Sequence, residues 1–126
     1  MKSAVVLLLL ASLVALEACK VNLKVRSQTK KPFQIQVFIP SLKQKTERVT
    51  FTGPGEKKVL IQGGNCMDKK WVFKTWKEVN GKWVGAAQNS GKLGGSGWIR
   101  VLVDDRLLPF GNDRYGIACS EGAVCG

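Results

Sequence analysis

The 126-residue sequence has no histidine. That removes Ser–His and Cys–His nucleophilic pairs, and with them the commonest metal-binding side chain. Its four cysteines include no Cys-x-x-Cys pair, so the usual thiolate spacing of a metal site is missing as well. Acids are scarce, 9 Asp and Glu against 20 Lys and Arg. The adjacent acids Asp104 and Asp105 resemble a catalytic pair, but neighbours in a strand point to opposite faces, and carboxylates that bond backbone amides suit a turn. No enzymatic activity, metal or cofactor is expected. An Asn-x-Ser/Thr sequon is also absent, so N-glycosylation is not expected. Internal repeats, low-complexity tracts and domain linkers are lacking, and no segment after the first residues carries a helical period.

What is present begins with "MKSAVVLLLLASLVALEACK". A single Lys2, an apolar run from Ala4 to Leu16 and small residues at Ala15 and Ala18 have the form of a secretory signal. The run is shorter than the roughly 20 residues that span a bilayer, and no second one follows, so a transmembrane protein is not expected. Residues 1–18 are read as signal peptide and 19–126 as one secreted, extracellular domain. Leu16-Glu17-Ala18-Cys19 also looks like a lipid-attachment box, but Glu17 fits it poorly. Lipidating Cys19 would moreover leave Cys66, Cys119 and Cys125, an odd number, so a lipid anchor is not expected. Four cysteines in a secreted chain imply two disulfides, each adding about 2–4 kcal/mol, and three pairings are open.

The net charge is +11, and removal of Lys2 with Glu17 leaves it unchanged. Such a field favours anionic partners: sulfated or uronic polysaccharides, anionic lipid head groups, or nucleic acid outside the cell. Nucleic acid is the weakest of these, since no recognised module or Arg-rich segment appears. Lysine that only keeps a secreted protein in solution is the plain alternative.

Residues after Cys19 read as strands. Val21, Leu23 and Val25 alternate with Asn22, Lys24 and Arg26; Phe33, Ile35, Val37 and Ile39 repeat the pattern between Pro32 and Pro40. Further strands are expected at "ERVTFT", "KKVLIQ", "KKWVFKTWK", "KWVGAA" and "WIRVLV", with a last short one from Tyr115 to Cys119. Gly53-Pro54-Gly55 marks a turn, and Asn80-Gly81 is the strongest short hairpin signal. About seven or eight antiparallel strands suggest an all-β fold, a single small β-sandwich of immunoglobulin-like general shape stapled by disulfides. A small closed barrel is the alternative.

"GAAQNSGKLGGSGW", Gly85 to Trp98, resembles a phosphate-binding loop and fails as one. Five residues rather than four precede Gly91-Lys92, Leu93 stands where a magnesium-binding hydroxyl is needed, and no helix follows. The stretch is expected to be a long, mobile, glycine-rich connection whose contribution to binding comes from Lys92 and Trp98.

Four tryptophans, Trp71, Trp76, Trp83 and Trp98, are many for this length. The odd spacing of Trp71 and Trp76 places them on opposite faces of a regular strand. Trp71 is expected in the core beside Phe73, and Trp76 among Lys74 and solvent, where an indole stacks on a sugar ring or enters a membrane interface. Trp83 across the hairpin as a cross-strand partner of Trp76 is the plainer expectation. Basic doublets recur at Lys30-Lys31, Lys57-Lys58 and Lys69-Lys70, with Lys43 and Lys45 between. On one face they form a polyanion site; at strand ends they blunt edges. The candidate ligand-binding residues are therefore Lys69, Lys70, Lys74, Trp76, Lys92 and Trp98.

On "VNLKVRSQTKKPFQIQV", "VTFTGPGEKK" before Cys66, and the terminal "GAVCG", the chain resembles a group of small secreted nematode β-rich proteins of uncharacterised function. No catalytic residue is attached to that pattern. Cys66 and Cys125 belong to it while Cys19 and Cys119 are additional, so the resemblance implies Cys19–Cys119 and Cys66–Cys125 bridges.

Two functions fit these readings. One is a secreted, basic, non-enzymatic binding module for anionic glycans or for membrane or microbial surfaces. The other is a protein-interaction, matrix or cuticle component that acts through a sheet face with no glycan or lipid preference. The sequence leaves the oligomeric state open.

Overall fold

A computed structural model describes residues 18–126. The leader expected over 1–18 falls, but for Ala18, outside the described residues. Eight strands follow: β1 (Cys19–Ser27), β2 (Phe33–Ile39), β3 (Gln44–Lys45), β4 (Val49–Phe51), β5 (Gly55–Gly63), β6 (Trp71–Val79), β7 (Lys82–Val103) and β8 (Pro109–Ser120). Single 3-10 turns occupy Pro40–Leu42 and Ala123–Cys125. The described chain is thus mostly β, as its alternating apolar pattern requires. Val21, Leu23 and Val25 of β1 and Phe33, Ile35, Val37 and Ile39 of β2 all point into one core. Burying each such side chain contributes about 1.5–3 kcal/mol.

β6 and β7 meet at Asn80-Gly81, whose φ angles of 51° and 77° make the two-residue hairpin that this dipeptide favours. Asp104-Asp105 is likewise a turn. The Leu107 amide donates to the Asp104 carbonyl, and the Asp104 carboxylate accepts the Arg106 amide at 3.0 Å.

The strands form one curled sheet in the order β3-β2-β6-β7-β1-β5, with β4 on the β3 edge of β2 and β8 beside β7. It is mixed, not wholly antiparallel: β1 runs parallel to β7, Lys20 opposite Ser96 through Ser27 opposite Val103. A parallel pair needs a long crossover. Here β2 to β6 provide it, and no local sequence signal records such a pairing.

The glycine-rich stretch is not a connection. Gly85 to Trp98 lies wholly within the 22-residue strand β7. Its first half pairs with β6 and its second with β8 and β1, so this strand carries the sheet round the core. Glycine is required where neighbouring backbone crowds it. A Cβ on Gly97 would lie 1.9 Å from the Tyr115 carbonyl oxygen, and the β7–β8 register shifts between Gly95 and Trp98. Further along, Gly91 leaves room for Val124, which the C-terminal turn inserts into the core.

The disulfides join Cys19 to Cys66 and Cys119 to Cys125, not the pairs that the resemblance implies. Cys19 opens β1 directly opposite Gly63, the last residue of β5, so Cys66 emerges beside it with Cα atoms 6.2 Å apart. The Cys66 carbonyl accepts bonds from the Trp71 indole N–H and the Ser41 hydroxyl, which fix that bend. At the C-terminus the chain folds back within six residues, bringing Cys125 to Cys119 at 5.5 Å between Cα atoms.

Candidate functional site

The residues of β1 that do not enter the core are Lys20, Asn22, Lys24 and Arg26, so three cations project from alternate positions of one strand. Pairing adds cations from both neighbours. Antiparallel β5 sets Lys58 opposite Lys24, and parallel β7 sets Arg100 opposite it on the other side. Strands lie about 4.8 Å apart, so Lys58, Lys24 and Arg100 form a basic row across three strands. The next row is aromatic and apolar: Leu60, Asn22, Trp98 and, on β8, Tyr115. Leu60 is 48% and Tyr115 74% exposed.

Charge holds Trp98 against the basic row. The Lys24 ammonium lies 4.4 Å from its ring centroid and the Arg100 guanidinium carbon 5.6 Å, both within cation–π range. The ring's negative face draws two cations that repel each other, which keeps them clustered at the surface. Glu56, opposite Arg26, receives Arg100 Nε at 3.0 Å and Arg26 Nε at 3.5 Å. The Arg100 hydrogen bond holds the Glu56 carboxyl below its ordinary value of 4.5; partial desolvation opposes it, and the Arg100, Arg26 and Lys24 charges each add a smaller lowering. Asp113 stands opposite Arg100 on β8. The face therefore gathers Lys20, Lys24, Arg26, Lys58 and Arg100 around Glu56 and Asp113, an excess of positive charge arranged on rigid strands.

The six residues expected to bind do not come together. Trp98 belongs to this face. Lys74 and Trp76 project from β6 on the outer side of the other half, where the Arg48 guanidinium covers Trp76 at 3.8 Å from the ring centroid and Lys74 lies 5.1 Å from the Phe38 ring. Lys92 is ion-paired with Glu121 at 2.7 Å; this pair holds the Glu121 carboxyl below its ordinary value, with Lys70 adding a smaller attraction. Lys69 and Lys70 are exposed in the bend before β6. Trp71 does enter the core beside Phe73. Trp83, however, stands opposite Glu78 and not Trp76, because the Asn80-Gly81 hairpin fixes that register.

The doublets also disperse. Lys57 and Lys58 are consecutive in a strand, so Lys58 joins the basic face while Lys57 turns to the Phe51 ring and the Thr50 carbonyl. Sequence reasoning missed Lys24, Arg26, Lys58 and Arg100 as a group. Alternation in "KVNLKVRS" marks two of them as outward; only the β1–β7 register supplies Arg100. Among the described residues no cluster of three or more His, Cys, Asp or Glu is placed to hold a metal, and no helix is long and apolar enough to cross a membrane.

No protein-family model matches the chain. No curated protein matches it significantly either.

Proposed function

We propose that this protein is a secreted, basic, non-enzymatic binding module whose ligand is an anionic polysaccharide. The observation that carries this reading is the Lys58–Lys24–Arg100 row lying beside Trp98. A polyanion strand presents sulfates or carboxylates at intervals of a few ångströms, and a flat grid of cations on three strands meets several at once. The indole offers a hydrophobic surface to the sugar ring between them. Extracellular placement is supported by two disulfides and by the form of the leader. The Cys19–Cys66 disulfide supports a chain without a lipid anchor on Cys19. The single core under a curled sheet supports reading the fold as a β-sandwich of immunoglobulin-like general shape.

Heparin-agarose chromatography on the chain from Cys19 onward tests the reading, with anionic phospholipid vesicles as the comparison. Retention that yields to salt, with weaker vesicle binding, supports it. Passage through the column at low salt overturns it. A second reading, an interaction or matrix component, rests on the exposed Leu60 and Tyr115 of the same face. Binding to an uncharged protein surface with no response to salt distinguishes that outcome.

A further inference from the structure

Trp76 lies on the other half of the sheet from the basic face, and its surroundings are built differently. Between Thr75 and Trp76 the β6–β7 register shifts: Thr75 pairs with Ala87 and Trp76 with Gly85, leaving Ala86 as the extra residue of a β-bulge. Thr75 anchors the bulge from inside, its buried hydroxyl donating to the Leu107 carbonyl at 2.6 Å. On the outside the bulge opens a recess of about 370 Å³. Its wall is Trp76, its floor is Gly85, Ala86 and Ala87, and its polar rim is Lys74 and Gln88.

The indole is fixed before any ligand arrives. Arg48 stacks on it from the β4 side, and Arg48 Nη1 donates to Gln34 Oε1 at 3.4 Å while Gln34 Nε2 donates to Thr50 Oγ1 at 3.1 Å. On the β7 side stands Gly85, where an added Cβ would meet nothing within 4 Å. Gly85 has no left-handed φ, so neither crowding nor backbone strain calls for glycine there. What glycine does at this position is leave the indole's flank uncovered. Two residues earlier on the same strand, Trp83 continues the aromatic line.

We infer that this recess is a second ligand site, separate from the basic face, that takes an uncharged pyranose ring of a β-linked oligosaccharide. Such a ring presents a flat patch of axial C–H groups to an indole and hydroxyls round its edge. The recess supplies one aromatic wall, a floor of small residues, a carboxamide that donates and accepts, and one ammonium donor. A charged ligand is not called for, because Lys74 is the one charged residue among those lining the recess. The inference goes beyond the polyanion reading and does not depend on it.

The test is an NMR titration that follows the indole N–H signals of Trp76 and Trp98. The probes are β-1,4-linked hexamers of glucose, N-acetylglucosamine and mannose, each carried to roughly 10 mM, which reaches millimolar dissociation constants. A saturable shift at Trp76 with at least one hexamer, absent at Trp98, is expected. Gly85→Leu fills the recess and is expected to weaken that binding at least about tenfold while the melting temperature is kept. Trp76→Ala removes the reporting indole, so its binding is read by calorimetry and is expected to be abolished. No saturable shift with any hexamer overturns the inference, as does a shift that persists undiminished in a folded Gly85→Leu variant. Heparin retention is read on the same variants; it is expected to be unchanged, so failure of one site is told apart from failure of the other.

Discussion

Lys24 and Trp98 come from strands far apart in sequence, yet the Lys24 ammonium sits 4.4 Å from the centre of the Trp98 ring. The parallel β1–β7 register produces this contact by placing Asn22 opposite Trp98 and Lys24 one step beyond, on the same face. A half-buried indole under an ammonium is worth about 0.5–1 kcal/mol. A double-mutant cycle of Lys24→Met and Trp98→Leu in urea unfolding is therefore expected to return a coupling energy of about that size. Additive single effects would show that the two side chains do not interact in solution.

Glu56 offers a gain of binding rather than a loss. It neutralises Arg26 and Arg100 on the face proposed to hold a polyanion, so Glu56→Gln is expected to raise the salt concentration that elutes the protein from heparin. Lower or unchanged elution would place the ligand elsewhere.

The same carboxylate links pH to stability. Its folded pKa is depressed below 4.5, chiefly by the Arg100 hydrogen bond. A depressed carboxylate contributes stability that is present above its unfolded pKa and is lost as pH falls through the folded value. Urea midpoints of the wild-type protein are thus expected to carry no Glu56 contribution to pH dependence near neutrality. They are expected to fall more steeply than those of Glu56→Gln below about pH 4.5. Parallel profiles for the two proteins would contradict the Arg100–Glu56 pairing.

Two glycines of one strand are expected to behave in opposite ways. Alanine at Gly97 would drive its Cβ to 1.9 Å from the Tyr115 carbonyl oxygen, and overpacking of this kind costs about 1–3 kcal/mol or more. Gly85→Ala meets open space and is expected to stabilise by about 0.4–1 kcal/mol through the unfolded chain. Thermal melting of both variants decides the matter. Were both neutral, the stretch would be the mobile connection that its composition suggests.

That contrast marks how far the sequence could be read. Apolar alternation located β1 and β2, Asn80-Gly81 located the β6–β7 hairpin, and odd spacing separated core Trp71 from surface Trp76. All of these are local. Gly91 and Gly97 belong to a stretch with the usual composition of a loop, and their actual reason, the closeness of Val124 and of the Tyr115 carbonyl, exists only in the folded chain. Cys19 meets Cys66 because β1 pairs with β5, and Arg100 joins Lys24 because β1 pairs with β7. Long-range register of this kind leaves no mark on a single strand, which is also why the Lys doublets misled: consecutive residues such as Lys57 and Lys58 part to opposite faces.

The two disulfides are expected to differ in worth. Cys19–Cys66 closes a span of 47 residues and Cys119–Cys125 a span of 6. Loop-closure entropy then assigns about 4 kcal/mol to the first and about 2 kcal/mol to the second. Paired Cys→Ser substitutions, followed by urea unfolding, are expected to show that order. A larger loss from the Cys119/Cys125 pair would mean that seating Val124 matters more than chain entropy.

The most direct test of the polyanion face compares two variants of equal charge. Lys24→Gln with Arg100→Gln removes two cations from the face; Lys69→Gln with Lys70→Gln removes two from the exposed bend before β6. Heparin dissociation constants are measured for wild type and both variants across a salt series. Each cation that contacts the polymer contributes about one unit to the slope of log affinity against log salt. The slope is expected to fall by about two in the first variant and to stay nearly unchanged in the second. Equal slopes in the two variants, or a larger reduction from Lys69 and Lys70, would contradict it.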